Sequence, residues 1–154
     1  MTEQHQNEEK IFETRRAPGF LFNALSKAYD AHTNRVLKPL QLKATQWPVL
    51  DQIYLHEGVT QRELAALCLR DPSTLVSTLD ALEKKGYIQR KPDANDRRIF
   101  RLYMTEEGVH VRHSAFAATS ALFEKVTAEL TQEDIDHLDN TCIAIYFALQ
   151  KTDA

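Results

Sequence analysis

The apolar residues of this chain recur at helical spacing over six stretches and give way once to two short β-like runs, and that interruption locates its central part. From Pro18 to Leu37, Phe20, Leu21, Ala24, Leu25, Ala28, Tyr29 and His32 fall at three- and four-residue steps, which predicts a main helix preceded by a short helical arm and ended by Pro39. A second helix is expected with Thr45 as its cap, running through Trp47, Pro48, Leu50, Ile53 and Tyr54 and closing at His56-Glu57-Gly58. Thr60 can cap a short third helix with Leu64, Ala65 and Leu67 on one face. Asp71-Pro72 then stops it and caps a fourth. That fourth helix turns Leu75, Leu79 and Leu82 inward, leaves Ser73, Thr74, Ser77, Thr78 and Lys84 on its outward faces, and ends at Gly86, where a positive φ is needed.

The β-like runs follow at once. Tyr87 to Lys91 and Ile99 to Met104 flank a polar tip of Pro92, Asp93, Ala94 and Asn95. Helix, turn, helix and β-ribbon in that order describe a winged helix-turn-helix. Short hydroxyl side chains on the second of those helices suit a major groove, where Ser and Thr bond bases or phosphates without blocking approach. Arg97 and Arg98 near a hairpin tip suit a minor groove, whose negative potential attracts guanidinium.

Two further helices complete the pattern. Thr105 and Glu107 open a long one from about Glu106 to Leu130, with Val109, Ala115, Phe116, Leu122, Phe123 and Val126 as its apolar positions. Thr131 and Asp134 make a capping-box-like restart, and the last helix, Glu133 to Gln150, presents Ile135, Leu138, Cys142, Ile145, Tyr146 and Leu149. That stripe can pack within one protomer or against a second copy. The second reading is preferred, because one reader offers too small an interface for specific DNA binding and a two-fold dimer doubles it. Phe12, in the N-terminal arm, joins the expected dimer interface.

Composition and charge narrow the function. A chain of 154 residues with 43% hydrophobic content fits one compact protomer, with no second domain expected. Its formal net charge is −3, yet residues 61–101 hold nine Lys/Arg against six Asp/Glu, whereas residues 129–154 hold six acids against one Lys. An acidic body with a locally basic reader restricts DNA recognition to one face. The six histidines show no HExxH pattern and no Cys partner, and four glycines form no phosphate loop, so no enzyme is expected. No cofactor or metal is expected either. His110 and His113, three residues apart on one helix, leave a two-residue metal clip as an alternative to solvated surface histidines. Cys68 and Cys142 lack ligand spacing, and Cys68 reads as an inert, buried thiol. With no signal peptide and no apolar run of spanning length, the expected location is the cytoplasm, without membrane partners.

The stretch DPSTLVSTLDALEKKGYIQRKPDANDRRIFRLYMTEEG resembles the DNA-binding core of the MarR family of bacterial transcriptional regulators. It contains that family's wing signature of Asp, Arg and Arg followed by a Leu-x-x-Thr-x-x-Gly run, here Asp96, Arg97, Arg98, Leu102, Thr105 and Gly108. The resemblance implies a mainly α fold with a small β-wing. Its winged helix-turn-helix, about residues 44–105, is flanked by dimerisation helices at about 11–38 and 106–150. It also implies that Arg98 enters the minor groove while Asp96 holds its guanidinium. The family often has an Arg in the middle of the recognition helix and a basic residue nearby, where this chain has Ser77 and Ala81. Relatives that sense oxidants carry a Cys near the start of the first long helix, and this chain has none there; a few others sense zinc.

The run from Arg16 to Leu21, RAPGFL, is similar to the start of a MarR subgroup that senses aromatic acids, as is Ala44-Thr45-Gln46-Trp47, although Asn23 and Ala24 replace a pair of basic residues frequent there. The effector this implies is a small aromatic carboxylate near Arg16, Phe20, His32 and Trp47. An Arg gives a carboxylate a planar, two-point partner, and Trp47 and Phe20 would serve either as aromatic walls or simply as core. The reading adopted is a repressor released from a pseudo-palindromic operator by such an acid. Its alternatives are a winged-helix protein-interaction module, which has no need of Asp96, Arg97 and Arg98 at the tip, and a metal-responsive regulator of the same fold.

Overall fold

A computed structural model describes residues 10–11 and 18–152. Phe12 and Arg16 lie outside the described residues, as does most of the expected N-terminal arm. Helix α1 spans Pro18–Leu37 and passes through a 3-10 turn, Lys38–Leu40, into a loop. Then come α2 (Trp47–Leu55), strand β1 (Val59–Thr60), α3 (Gln61–Leu67), α4 (Pro72–Lys84), β2 (Ile88–Pro92), β3 (Phe100–Met104), α5 (Glu106–Val126) and α6 (Gln132–Thr152). The described residues fall into two compact units that divide after Ser120. None of their helices is long and apolar enough to cross a membrane.

The first unit is the winged helix-turn-helix, held by one apolar core. Leu50, Ile53, Leu64, Leu75, Leu79, Leu82 and Leu102 are fully or almost fully buried in it, and Val111 and Ala115 of α5 close it on one side. From α1, Thr33 and Leu37 are buried. The three strands form an antiparallel sheet in the order β1-β3-β2, with Ile88 opposite Met104 and Pro92 opposite Phe100. Strand β1 was not expected. It holds two residues, too few to show an alternation, and it exists because Val59 and Thr60 pair with Leu102 and Arg101. The long strands each begin one residue later than their pattern suggests, so Tyr87 and Ile99 fall in the connections.

Local punctuation follows the sequence where it is local in origin. Thr60 and Glu63 form a reciprocal capping box on α3, and Asp71 accepts from the Ser73 backbone N–H at 2.8 Å to cap α4. Gly86 follows α4 with φ +74. Thr131 and Asp134 cap α6 reciprocally. Thr45 does not cap α2: the chain enters through a turn in which the Gln46 side chain accepts from the Lys43 backbone N–H at 3.2 Å, and Gln46 takes the cap position. Leu67 was expected on the inner face of α3 but is exposed, because that short helix buries Leu64 and Ala65 instead. Helix α5 stops at Val126 rather than near Leu130.

The run Leu102, Thr105, Gly108 has a packing explanation. Leu102 is core, at 1% exposure. Thr105 donates its hydroxyl to the Gly86 carbonyl at 2.5 Å and accepts from the Gly108 backbone N–H at 2.9 Å, so it joins the end of the α4 turn to the start of α5. A Cβ on Gly108 would stand 1.9 Å from the Tyr87 carbonyl oxygen, so no side chain fits there.

The second unit contributes α6. Ile135 and Ile145 are half-buried, while Leu138, Cys142, Tyr146 and Leu149 are exposed. Ile143 and Phe147 are also exposed, so the apolar surface of this helix is broader than the single stripe read from its spacing.

Candidate nucleic-acid interface

Helix α4 turns three leucines into the core, which leaves Ser73, Ser77, Asp80 and Lys84 along the opposite ridge. Thr74 flanks that ridge and is exposed. Thr78 was expected outward, but it stands next to the buried face and is half-buried. Val76, unremarked in the sequence, is 43% exposed. The hydroxyls at the N-terminus are already engaged: Ser73 Oγ donates to Asp71 at 2.6 Å and Thr74 Oγ1 to the Asp71 carbonyl at 2.8 Å. Each keeps an acceptor lone pair facing solvent. The Ser73 hydroxyl and backbone N–H hold the Asp71 carboxyl below the usual range.

The two acids on α4, Asp80 and Glu83, share one arginine from the wing. Arg90 of β2 places Nη2 2.7 Å from Asp80 and Nη1 2.5 Å from Glu83, and its backbone N–H donates to Glu83 at 3.1 Å. One guanidinium therefore ties the helix to the ribbon and offsets one of the two negative charges of this cluster. Sequence reasoning missed this. The available signal was an Asp and a Glu three residues apart on one helix face, a ready fork for a nearby Arg.

At the far end of the helix, Lys85 donates to the Gln41 carbonyl at 2.5 Å and to Gln46 Oε1 at 2.8 Å, and Tyr87 donates to the Leu40 carbonyl at 3.1 Å. The loop after α1 is thereby fastened to the end of α4. Burial, with Lys43 nearby, pulls the Lys85 pKa down.

The wing tip is ordered by two carboxylates. Asp96 receives Arg98 in a fork, Nε to Oδ1 at 3.0 Å and Nη2 to Oδ2 at 2.9 Å, with the Arg98 backbone N–H donating at 3.0 Å as well. The Arg98 side chain remains 90% exposed. This pairing holds the Asp96 carboxyl low and raises the Arg98 pKa. Arg97 is exposed beside it. Asp93 is buried and accepts from the backbone N–H groups of Asn95 and Asp96 at 2.7 and 3.1 Å and from Arg101 Nε. Those bonds, the Arg101 one foremost, bring its pKa down to about 2.

The residues singled out for an effector are more scattered. Phe20 and His32 are both exposed on α1, His32 donating Nδ1–H to the Ala28 carbonyl at 2.8 Å, and Trp47 is half-buried against the core. Twelve residues of helix separate Phe20 from His32, about 18 Å along the axis, more than one small aromatic acid can bridge. A single such ligand cannot touch both on one chain. Of the histidine pair, His113 Nε2 lies 3.3 Å from the Tyr54 hydroxyl with the two rings edge to face, and His110 is exposed. No group of three or more potential ligands for a metal ion occurs among the described residues. Cys68, expected to be buried, is half-buried because it follows the end of the short α3 helix; that partial burial, opposed by Arg70, pushes its thiol pKa up.

Comparison with known proteins gives the same picture. The MarR family signature matches residues 42–100. Over 122 residues the chain is 30% identical to the HTH-type transcriptional regulator SarZ of Staphylococcus haemolyticus, across 79% of this chain and 82% of that one. It is similar in fold to a mutant MarR from E. coli complexed with operator DNA, with TM-score 0.77 and 26% identity over 82% of this chain and 91% of that one. It is also similar to CouR from Rhodococcus jostii bound to p-coumaroyl-CoA, with TM-score 0.75 and 28% identity over 85% of this chain and 92% of that one.

Proposed function

The chain belongs to the MarR family of transcriptional regulators, and we propose that it binds operator DNA as a homodimer, with α4 in the major groove and the wing in the minor groove. Ser73, Thr74, Ser77 and Lys84 meet bases and phosphates. Thr78 contributes from the edge of the helix, and Arg97 and Arg98 enter the minor groove. The observation that carries this reading is the Asp96–Arg98 fork on a tip where the guanidinium is 90% exposed. A side chain held in one orientation before binding loses less entropy on entering a groove. Arg98→Ala is expected to weaken DNA binding by about 1–3 kcal/mol and to lower the salt slope by about 1, measured by fluorescence anisotropy across a salt series. Unchanged affinity at physiological salt would refute the wing assignment.

One reader per chain requires two chains for a pseudo-palindrome with half-sites about 10 bp apart. The apolar surfaces of Leu21, Phe22, Leu25 and Tyr29 on α1, and of Leu138, Ile143, Tyr146 and Phe147 on α6, support that dimer. The chain acts as a repressor released by a small aromatic carboxylate; the p-coumaroyl-CoA bound to CouR supports recognition of an aromatic acyl group. Arg16 is its proposed anchor, with either Phe20 or the His32 and Trp47 end beside it. Release requires the ligand to prefer the non-binding spacing of the readers by roughly 1–3 kcal/mol. Calorimetry with hydroxycinnamates and their thioesters on wild type and Arg16→Ala checks this. Binding indifferent to Arg16, or none at all, removes the site.

A further inference from the structure

Backbone bonds close the wing tip, Asp93 N–H to the Ile99 carbonyl at 2.8 Å and Ile99 N–H to the Asp96 carbonyl at 2.9 Å, and its side-chain contacts form a line whose origin lies outside the wing. Arg101, on β3, donates Nη1 to the carbonyl of Gly58 at 2.8 Å, across 43 positions of sequence. Gly58 stands between α2 and β1 with φ +81, and a Cβ there would press on the Tyr103 hydroxyl at 3.3 Å, so this carbonyl belongs to a closely fitted backbone. Through Nε, the same guanidinium holds the Asp93 carboxylate, which is 8% exposed. Asp93 fixes the backbone N–H groups of Asn95 and Asp96, and Asp96 holds the fork of Arg98. Each link determines the geometry of the next. Without the line, backbone bonds still close the seven-residue tip between β2 and β3, but the Asn95 and Asp96 N–H groups lose their acceptor and the Asp96 carboxylate that carries Arg98 regains freedom.

Accepting the proposal that the wing enters a groove, we infer that Arg101 is a positioning residue for Arg98, setting its height and direction from Gly58 through Asp93 and Asp96 without touching DNA itself. The division of labour follows from the contacts. Arg98 spends its fork on one partly exposed carboxylate and is 90% exposed, whereas Arg101, 41% exposed, spends Nε on a buried acid and Nη1 on a backbone carbonyl. A charged Asp93 is also the stronger acceptor for two N–H groups, so the ion pair tightens the turn beyond its own bond.

The test uses the full chain and the duplex that the wild type selects from a random-sequence pool. Arg101→Met is expected to weaken binding about tenfold, the effect of one charge-assisted hydrogen bond, with the salt slope left at its wild-type value. Arg98→Ala lowers the slope by about one, and the double variant should bind within about twofold of Arg98→Ala alone. In the free wild type, the Arg98 Nε–H that Asp96 accepts is expected to give a protected signal, which should be lost in Arg101→Met and partly restored in Arg101→Lys. Circular dichroism confirms that each variant is folded; if Arg101→Met is not, Asp93→Asn replaces it with the same expectations. A slope that falls by about one for Arg101→Met would make Arg101 a phosphate ligand and overturn the inference, as would additive losses or an unaltered Arg98 signal. If Arg98→Ala itself has no effect, the groove assignment fails. If Arg98→Ala weakens binding and Arg101→Met does not, only the positioning role fails.

Discussion

At the scale of single residues, the buried carboxylate of the wing makes a definite statement about acid. Asp93 has a folded-state pKa of about 2 against an ordinary 3.8, so its contribution to stability is fully present above pH 3.8 and is lost as pH falls through about 2. A carbon-13 titration of the Asp93 carboxyl should therefore show a midpoint near 2, with the Asn95 and Asp96 amide signals moving in step. A midpoint near 4 would mean that the Arg101 contact is absent in solution. What could be read of such residues from sequence depended on distance along the chain. Thr60, Asp71 and Gly86 act on neighbours within three positions, and their roles were legible. The fork between Asp96 and Arg98 is two residues long and was implied by the family resemblance. Asp93, Arg101 and Gly58 were not linked, because eight and 43 positions separate the partners and no local pattern records which carbonyl a guanidinium will find.

At the scale of elements, two glycines separate steric from conformational demands. Around Gly108 the obstruction is backbone, the Tyr87 carbonyl, so Gly108→Ala must push α5 away from the start of β2 and should cost about 3 kcal/mol or more. At Gly86 a Cβ meets nothing within 4 Å, and only φ +74 opposes it, so Gly86→Ala should cost about 1 kcal/mol. Urea unfolding of both variants checks the order. Equal losses would show that the contact at Gly108 relaxes freely. The helices themselves were legible because each carries its own apolar face and its own stop. Strand β1 was not, since two residues gain strand geometry only from β3. On α6, reading one stripe concealed Ile143 and Phe147, which lie on a neighbouring face. Thr45 misled for a related reason: a residue suited to capping precedes α2, but the turn at Lys43 and Gln46 takes that position first.

At the scale of the whole molecule, the first unit completes its core within one chain, whereas α6 leaves most of its apolar side chains in water. Burying them against a second copy is the proposal with the most direct physical test. Ile145→Glu should convert a dimer to a monomer in sedimentation at micromolar concentration and abolish operator binding while the reader stays folded. A wild type that sediments as a monomer and binds DNA one chain per site would rule the proposal out. A core that closes without help also has a genetic consequence. On the proposed dimer, a subunit with a disabled wing would still fold and still pair, so in a cell producing both forms the defective subunit should escape degradation and enter mixed dimers with a single working reader. Such an allele should act dominantly, its effect rising with its dose, whereas an allele that loses the α6 surface should be recessive because its product never meets the normal subunit.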